Sequence, residues 1–202
     1  MTSPLPTLEI LIPHKEFPAR LTREGWIPWE WEPGQDLPAG AGLILIPNTV
    51  LVLAGKKIII DPGPFYVGRL PAVALSFRGL SPRDIDVVIN THLHTDHAGA
   101  NSIFRGRRLL FHEAEISCHP RTWIDYVSDG MTVKLMKGEA LDLADGIRLF
   151  HTPGHTHGST SVLVETEKGR VLITGDAGER ETEALISEYS PSLIIPGHKD
   201  PY

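Results

Sequence analysis

A chain of 202 residues, 41% hydrophobic and 22% charged, can bury a sizeable core and is excluded from the disordered and fibrous classes. Its net charge of −6 argues against a general nucleic-acid or membrane-surface binder. The single cysteine, Cys118, excludes an internal disulfide, and neither a signal peptide nor a run of about 20 apolar residues is seen, so the expectation is a cytoplasmic enzyme with no membrane partner.

In chain order, residues 8–12, 42–46, 48–53 and 57–60 are short apolar runs bounded by Gly, Pro and Asn. They predict an antiparallel meander. Residues 13–40 between the first two runs predict a long structureless loop carrying Trp26, Trp29 and Trp31. Trp29 and Trp31 are candidates to cover a substrate or to pack into a second copy of the chain, a homodimer. Residues 66–77 show helical spacing, and Ser81-Pro82-Arg83-Asp84 is a helix start. A short strand buried on both faces, 86–89, follows it. Further strands are expected at 108–112, 133–136, 147–151, 159–165, 170–173 and 192–195, with helices at 113–117 and 182–189. Strands in two batches, each with its helices, suggest two sheets face to face with helices outside, in one domain spanning 1–202.

The chemistry concentrates in Thr91-His92-Leu93-His94-Thr95-Asp96-His97-Ala98-Gly99, which follows the buried strand. Imidazole and carboxylate are the standard ligands of zinc and similar divalent ions. Histidines two apart in an extended turn point the same way, so His92 and His94 can grip one ion. Asp96 and His97, at the start of the next helix, face a second position nearby. A polar loop with incidental histidines is the plain alternative. Ten histidines in the chain make a chance pair unremarkable, but not this tetrad. Three later residues each end an apolar strand: His155 after Gly154, Asp176 after Gly175 and His198 after Gly197. Glycine before each lets the backbone turn sharply and approach closely.

His-x-His-x-Asp-His, then Gly-His, Gly-Asp and Pro-Gly-His at spacings of 58, 21 and 22 residues, resembles the metallo-β-lactamase superfamily. Asp61, in Asp61-Pro62-Gly63, matches its first motif. The resemblance implies an α/β (α+β) fold, the four-layer αββα sandwich, with the site at one edge. It implies that His92, His94 and His155 hold one metal, that Asp96, His97 and His198 hold another, that Asp176 bridges both, and that Asp61 orients ligands. Asn101 and the stretch around it are similar to the quorum-signal lactonases, although Glu179 stands where those enzymes carry a tyrosine. Gly175-Asp176 with Glu179-Arg180, and the ending Pro196 to Pro201, resemble the compact group typified by metallo-β-lactamase domain-containing protein 1.

The function expected is a binuclear hydrolase with two divalent ions, zinc first and iron or manganese as alternatives. A metal-bridging hydroxide would cleave a carboxylic ester, lactone, thioester or phosphodiester, with Asp96 orienting the nucleophile and moving its proton. The expected partner is a small-molecule substrate, and nucleic acid is a weaker candidate. Asn101, Trp29, Trp31 and Trp123 are candidates to line the substrate cleft. The rival reading is a mononuclear non-haem iron redox enzyme of the persulfide dioxygenase type, with iron on His92, His155 and Asp176.

Overall fold

Alternating side chains on the central strands have two different destinations. On β5 (Thr49–Leu53), β6 (Lys57–Ile60), β7 (Val87–Ile89) and β8 (Arg108–His112), one set, including Val52, Ile60, Ile89 and Leu110, enters one buried cluster. The interleaved set, Leu51, Ile59, Val88, Leu109 and Phe111, enters another. A strand with both faces buried reads as a continuous apolar run, and these do. The structure, a computed structural model, describes residues 4–22, 25–28 and 41–202.

These strands belong to a six-stranded sheet in the order β1-β5-β6-β7-β8-β9, where β1 is Thr7–Ile12 and β9 is Thr132–Met136. A five-stranded sheet has the order β10-β11-β12-β13-β14, formed by Ala140–Ala144, Ile147–His151, Thr160–Thr166, Gly169–Gly175 and Leu193–Pro196. Their inner faces meet in one cluster that contains Val52, Ile60, Leu149, Val162 and Ile173. Outside the first sheet, α1 (Leu70–Ser76) and α4 (Arg121–Val127) contribute Leu75 and Val127. Outside the second, α5 (Glu179–Tyr189) lays Leu185, Ile186 and Tyr189 on Phe150, Leu163 and Leu172. The layers are therefore helix, sheet, sheet, helix, as the resemblance implied.

The first forty residues correct two expectations. Residues 15–22 and 25–28 are strands β2 (Lys15–Thr22) and β3 (Gly25–Pro28), so 13–40 is not a structureless loop throughout. They form a third sheet, β3-β2-β4, with β4 at Ala41–Ile46. Pro18 within β2 and Pro28 at the end of β3 hid them, because proline supplies no ladder donor and belongs on edges or at strand ends. The four-run meander also fails: β4 pairs with β2, while β1 pairs with β5. Trp29 and Trp31 lie outside the described residues. The helix expected over 66–77 is broken by Gly68, at φ +59°, into a single turn at Phe65–Val67 and α1. The Ser81 start yields only one turn, Pro82–Asp84, with the Ser81 N–H and hydroxyl donating to Asp84 Oδ2 at 2.8 and 2.7 Å. No described helix is long and apolar enough to cross a membrane.

Candidate metal centre

The donors collect at one edge of the sandwich because each leaves the end of a buried strand. Asp61 follows β6, the histidine motif follows β7, and His155, Asp176 and His198 follow β11, β13 and β14. The two sheets are tied together beside them, where the Thr160 N–H donates to Thr91 O at 2.8 Å. The Gly197 N–H donates to Gly175 O at 2.7 Å, which brings the last two strand ends side by side.

The donor atoms form two groups. His92, His94 and His155 are one; Asp96, His97, Asp176 and His198 are the other, and within each group the ligand atoms lie within 4.8 Å of one another. In the first, Leu93 is fully buried in the outer core and pins the loop, leaving His92 and His94 on the opposite side with ring centroids 4.6 Å apart. His155 Nε2 lies 2.9 Å from His94 Nδ1. In the second, α2 (Thr95–Ala98) presents Asp96 and His97 from its first turn. His97 Nε2 lies 3.2 Å from His198 Nε2 and 3.2 Å from Asp176 Oδ1, and His198 Nε2 lies 3.0 Å from Asp96 Oδ2. Asp176 stands between the groups, with Oδ2 3.4 Å from His155 Nε2 and 3.6 Å from His198 Nε2.

Asp61 anchors the second group from behind. At φ +49° it turns out of β6, and its carboxylate accepts from the Thr91 N–H at 2.8 Å and the Thr91 hydroxyl at 2.7 Å. Its Oδ2 also lies 2.9 Å from His97 Nδ1, which leaves the other ring nitrogen facing the cluster. Two of the glycines are required here. Gly175, at φ +54°, leaves no room for a Cβ beside Thr91 Oγ1, and a Cβ at Gly197 would collide with Asp176 Oδ1. Gly154 is different, since a Cβ there meets only the movable end of Glu181.

Electrostatics separate the groups. Burial, followed by the neighbouring rings of His97, His94 and His155, holds His92 well below the ordinary histidine pKa. Burial and His155 also lower His94. In the second group burial resists charge on His97, but Asp61 and Asp176 outweigh it and raise the ring well above its ordinary value. For Asp176 burial acts upward, yet His97, His198 and His155 together lower it to about 2. Asp96 likewise ends below its ordinary value, because His198 and His97 overcome burial. Imidazoles and carboxylates gathered this closely are a donor set for divalent ions once the rings are free of protons. His92 Nε2 and Asp176 Oδ1 are buried without a hydrogen-bond partner, as expected of atoms meant to face a cation, so the residues fit a metal group.

Other residues fall elsewhere than expected. Asn101 is fully buried, donates to Asn90 Oδ1 at 2.8 Å and lines no open cleft. It braces the motif from beneath instead of meeting substrate. Trp123 donates its indole N–H to Leu93 O at 2.6 Å and stacks on Tyr126, forming one wall of a recess with His94, Asp96 and His119. On the other side a cleft of about 550 Å3 is lined by His155, Asp176, Glu179, His198, Lys199 and Tyr202. His151, at the end of β11, stacks on His112 with ring centroids 3.9 Å apart. Sequence reading missed Asn48, whose amide donates to Pro196 O at 2.7 Å and Lys199 O at 2.9 Å, clasping the turn that carries His198. It also missed Glu115. A lone Asn or Glu in a mixed sequence carries no local signal of burial.

Comparison with known proteins agrees with this geometry. The family described as the metallo-β-lactamase superfamily matches residues 42–201. An N-acyl homoserine lactonase of a Bacillus species is 38% identical over 103 residues, which is 49% of this chain and 41% of that protein. Human metallo-β-lactamase domain-containing protein 1 is 28% identical over 168 residues, 74% of this chain and 60% of that one. The chain spans between 41% and 50% of the length of the Bacillus lactonases it matches. A crystal structure from Thermotoga maritima, described as a candidate metallo-β-lactamase, superposes with a TM-score of 0.71 at 27% identity, over 98% of this chain and 99% of that one. The family match spans all seven donor residues, and the fold superposes along nearly the whole chain; this chain belongs to the metallo-β-lactamase superfamily.

Proposed function

We propose that the chain is a binuclear metal-dependent hydrolase of ester-like bonds, acting on a small-molecule substrate as a single domain. The observation that carries this reading is the pair of donor groups sharing Asp176, with His92 Nε2 and Asp176 Oδ1 buried and without a hydrogen-bond partner. His92, His94 and His155 would hold one ion, Asp96, His97 and His198 the other, and Asp176 would serve both. Zinc suits this mixture of imidazole and carboxylate. Two such ions would lower the pKa of a bound water to about 7 and polarise the scissile group.

The chain's own residues do the rest. Asp96, partly exposed beside the Trp123 recess and ionised, would accept and hand on a proton. Asp61 fixes the tautomer and orientation of His97. Trp123 and the Lys199–Tyr202 wall flank the cluster on opposite sides and would bracket a substrate. The lactonase relatives make a lactone the first substrate to try. The iron redox reading needs only His92, His155 and Asp176 and leaves Asp96, His97 and His198 without a task. Metal analysis per chain, with a panel of ester, lactone, thioester and phosphodiester substrates, tests the proposal. Two ions and hydrolysis of one class are expected; one iron per chain with no hydrolysis would overturn it.

A further inference from the structure

Behind the first trio lies a carboxylate that hydrolysis itself does not use. Glu115, the first residue of α3 (Glu115–Cys118), is fully buried. Its Oε2 accepts the Leu93 N–H at 2.7 Å and lies 3.0 Å from His119 Nε2. Its Oε1 accepts the Gly158 N–H at 3.0 Å and the hydroxyl of Thr156. Leu93 stands between His92 and His94, and Thr156 follows His155. Three of the four donors thus come from the two loops that carry the three histidines. The fourth, His119, packs its ring edge-on against His94 with centroids 5.7 Å apart. The joint is closely fitted, because a Cβ on Gly158 would come within 2.6 Å of the Glu115 backbone nitrogen and 2.7 Å of its Oε1.

A buried carboxylate is costly unless all its acceptor capacity is used, so an apolar residue would serve packing better. What an apolar residue lacks is the ability to hold two separate loops at one fixed distance. A main-chain bond from Thr160 to Thr91 joins the loops at their strand ends; beyond it His94 and His155, 61 residues apart, lie 2.9 Å from each other at the front, and Glu115 closes the back. We propose that Glu115 is a positioning residue that sets the spacing of His92, His94 and His155 by bonding their loops together, with His119 steadying the His94 ring. This rests on reading that trio as a metal-holding group. Neither Glu115 nor His119 is itself a ligand in this account.

The test is stepwise zinc affinity by chelator competition, with thermal melts alongside, on the wild-type chain, Glu115→Gln, Thr156→Val and Thr156→Ser. Glu115→Gln keeps the shape but turns an NH2 group towards donors, and it should weaken one zinc step about 10–100-fold while leaving the other within about twofold. Thr156→Val should weaken the same step less, and Thr156→Ser should restore it. Placed in a His94→Ala chain, where only the second group is complete, Glu115→Gln should leave the remaining zinc step unchanged. Equal weakening of both steps, or unchanged steps with only a lower melting temperature, overturns the proposal. If Glu115→Gln does not fold, identical zinc steps in Thr156→Val and Thr156→Ser overturn it. A wild-type chain with no zinc step that depends on His94 overturns instead the reading on which the proposal stands.

Discussion

Two buried carboxylates, Asp61 and Glu115, stand behind the two donor groups, and they work differently. Asp61 touches a ring, with Oδ2 2.9 Å from His97 Nδ1, so it orients a donor directly. Glu115 touches main chain and a hydroxyl beside the donors, so it sets the distance between loops. The second group is accordingly deep and charged, with His97 wholly buried between Asp61 and Asp176. In the first, His92 and His94 are held below the ordinary histidine pKa, and the group opens at His155, whose side chain is 35% exposed. A rigid, charged pocket next to a more accessible histidine trio implies unequal hold on two ions. The first group should exchange its ion more readily.

Asp176→Ala should have the largest effect, since it faces both groups, with loss of both ions and of hydrolysis down to background. Metal analysis and turnover would show it. Retention of one tightly held ion would break the comparison, assigning Asp176 wholly to the second group, where distance alone clusters it. Asp61→Asn should cost less, about 10–100-fold in zinc affinity, and chiefly at the second group, because it removes an orienting partner and not a ligand. Equal losses from the two variants would contradict the roles given to them. Gly197→Ala should cost less again, about tenfold at the second group, as the new methyl moves Asp176 and His97 by a small amount. An unchanged zinc affinity there would show that the strand end relaxes freely.

Much of the site could be read in the sequence, because its donors sit where apolar strands stop. Gly175-Asp176 and Pro196-Gly197-His198 announce themselves by a change from Val and Ile to Gly and a polar residue. The interleaved burial of Leu51, Ile59 and Val88 was equally legible as continuous apolar runs. The outer sheet was not. Lys15–Thr22 mixes charge, aromatic and proline, and what makes it a strand is its pairing with Ala41–Ile46, a tertiary event. Glu115 was hidden for a related reason: its four donors lie in segments distant in sequence or on the other side of its own short helix. Asn101 was misread because a shared residue type says nothing about whether the side chain faces cleft or core.

The smallest effect, and the sharpest contrast between the groups, lies in the pH dependence of metal-free protein. His92 has a folded pKa well below its ordinary value, so the unfolded chain binds its proton first as pH falls. Its contribution is complete above about 6.5 and is lost as pH drops below that value. His97 is the reverse, with a folded pKa well above the ordinary one. Its contribution is complete below about 6.5 and is lost as pH rises towards the folded pKa. Chelator-treated protein should therefore show two limbs of falling stability, one on each side of about pH 6.5, in melts or urea midpoints. His92→Gln should make the acid limb shallower, though not flat, because His94 is lowered as well. His97→Gln should flatten the alkaline limb. One displaced pKa unit carries about 1.4 kcal/mol, which such melts resolve. If both variants altered the same limb, the two groups would share one electrostatic environment, and the contrast between the histidine trio and the charged pocket would fail. Zinc should replace both limbs with a single steep loss on the acid side, since all seven ring and carboxylate donors must be free of protons to hold it.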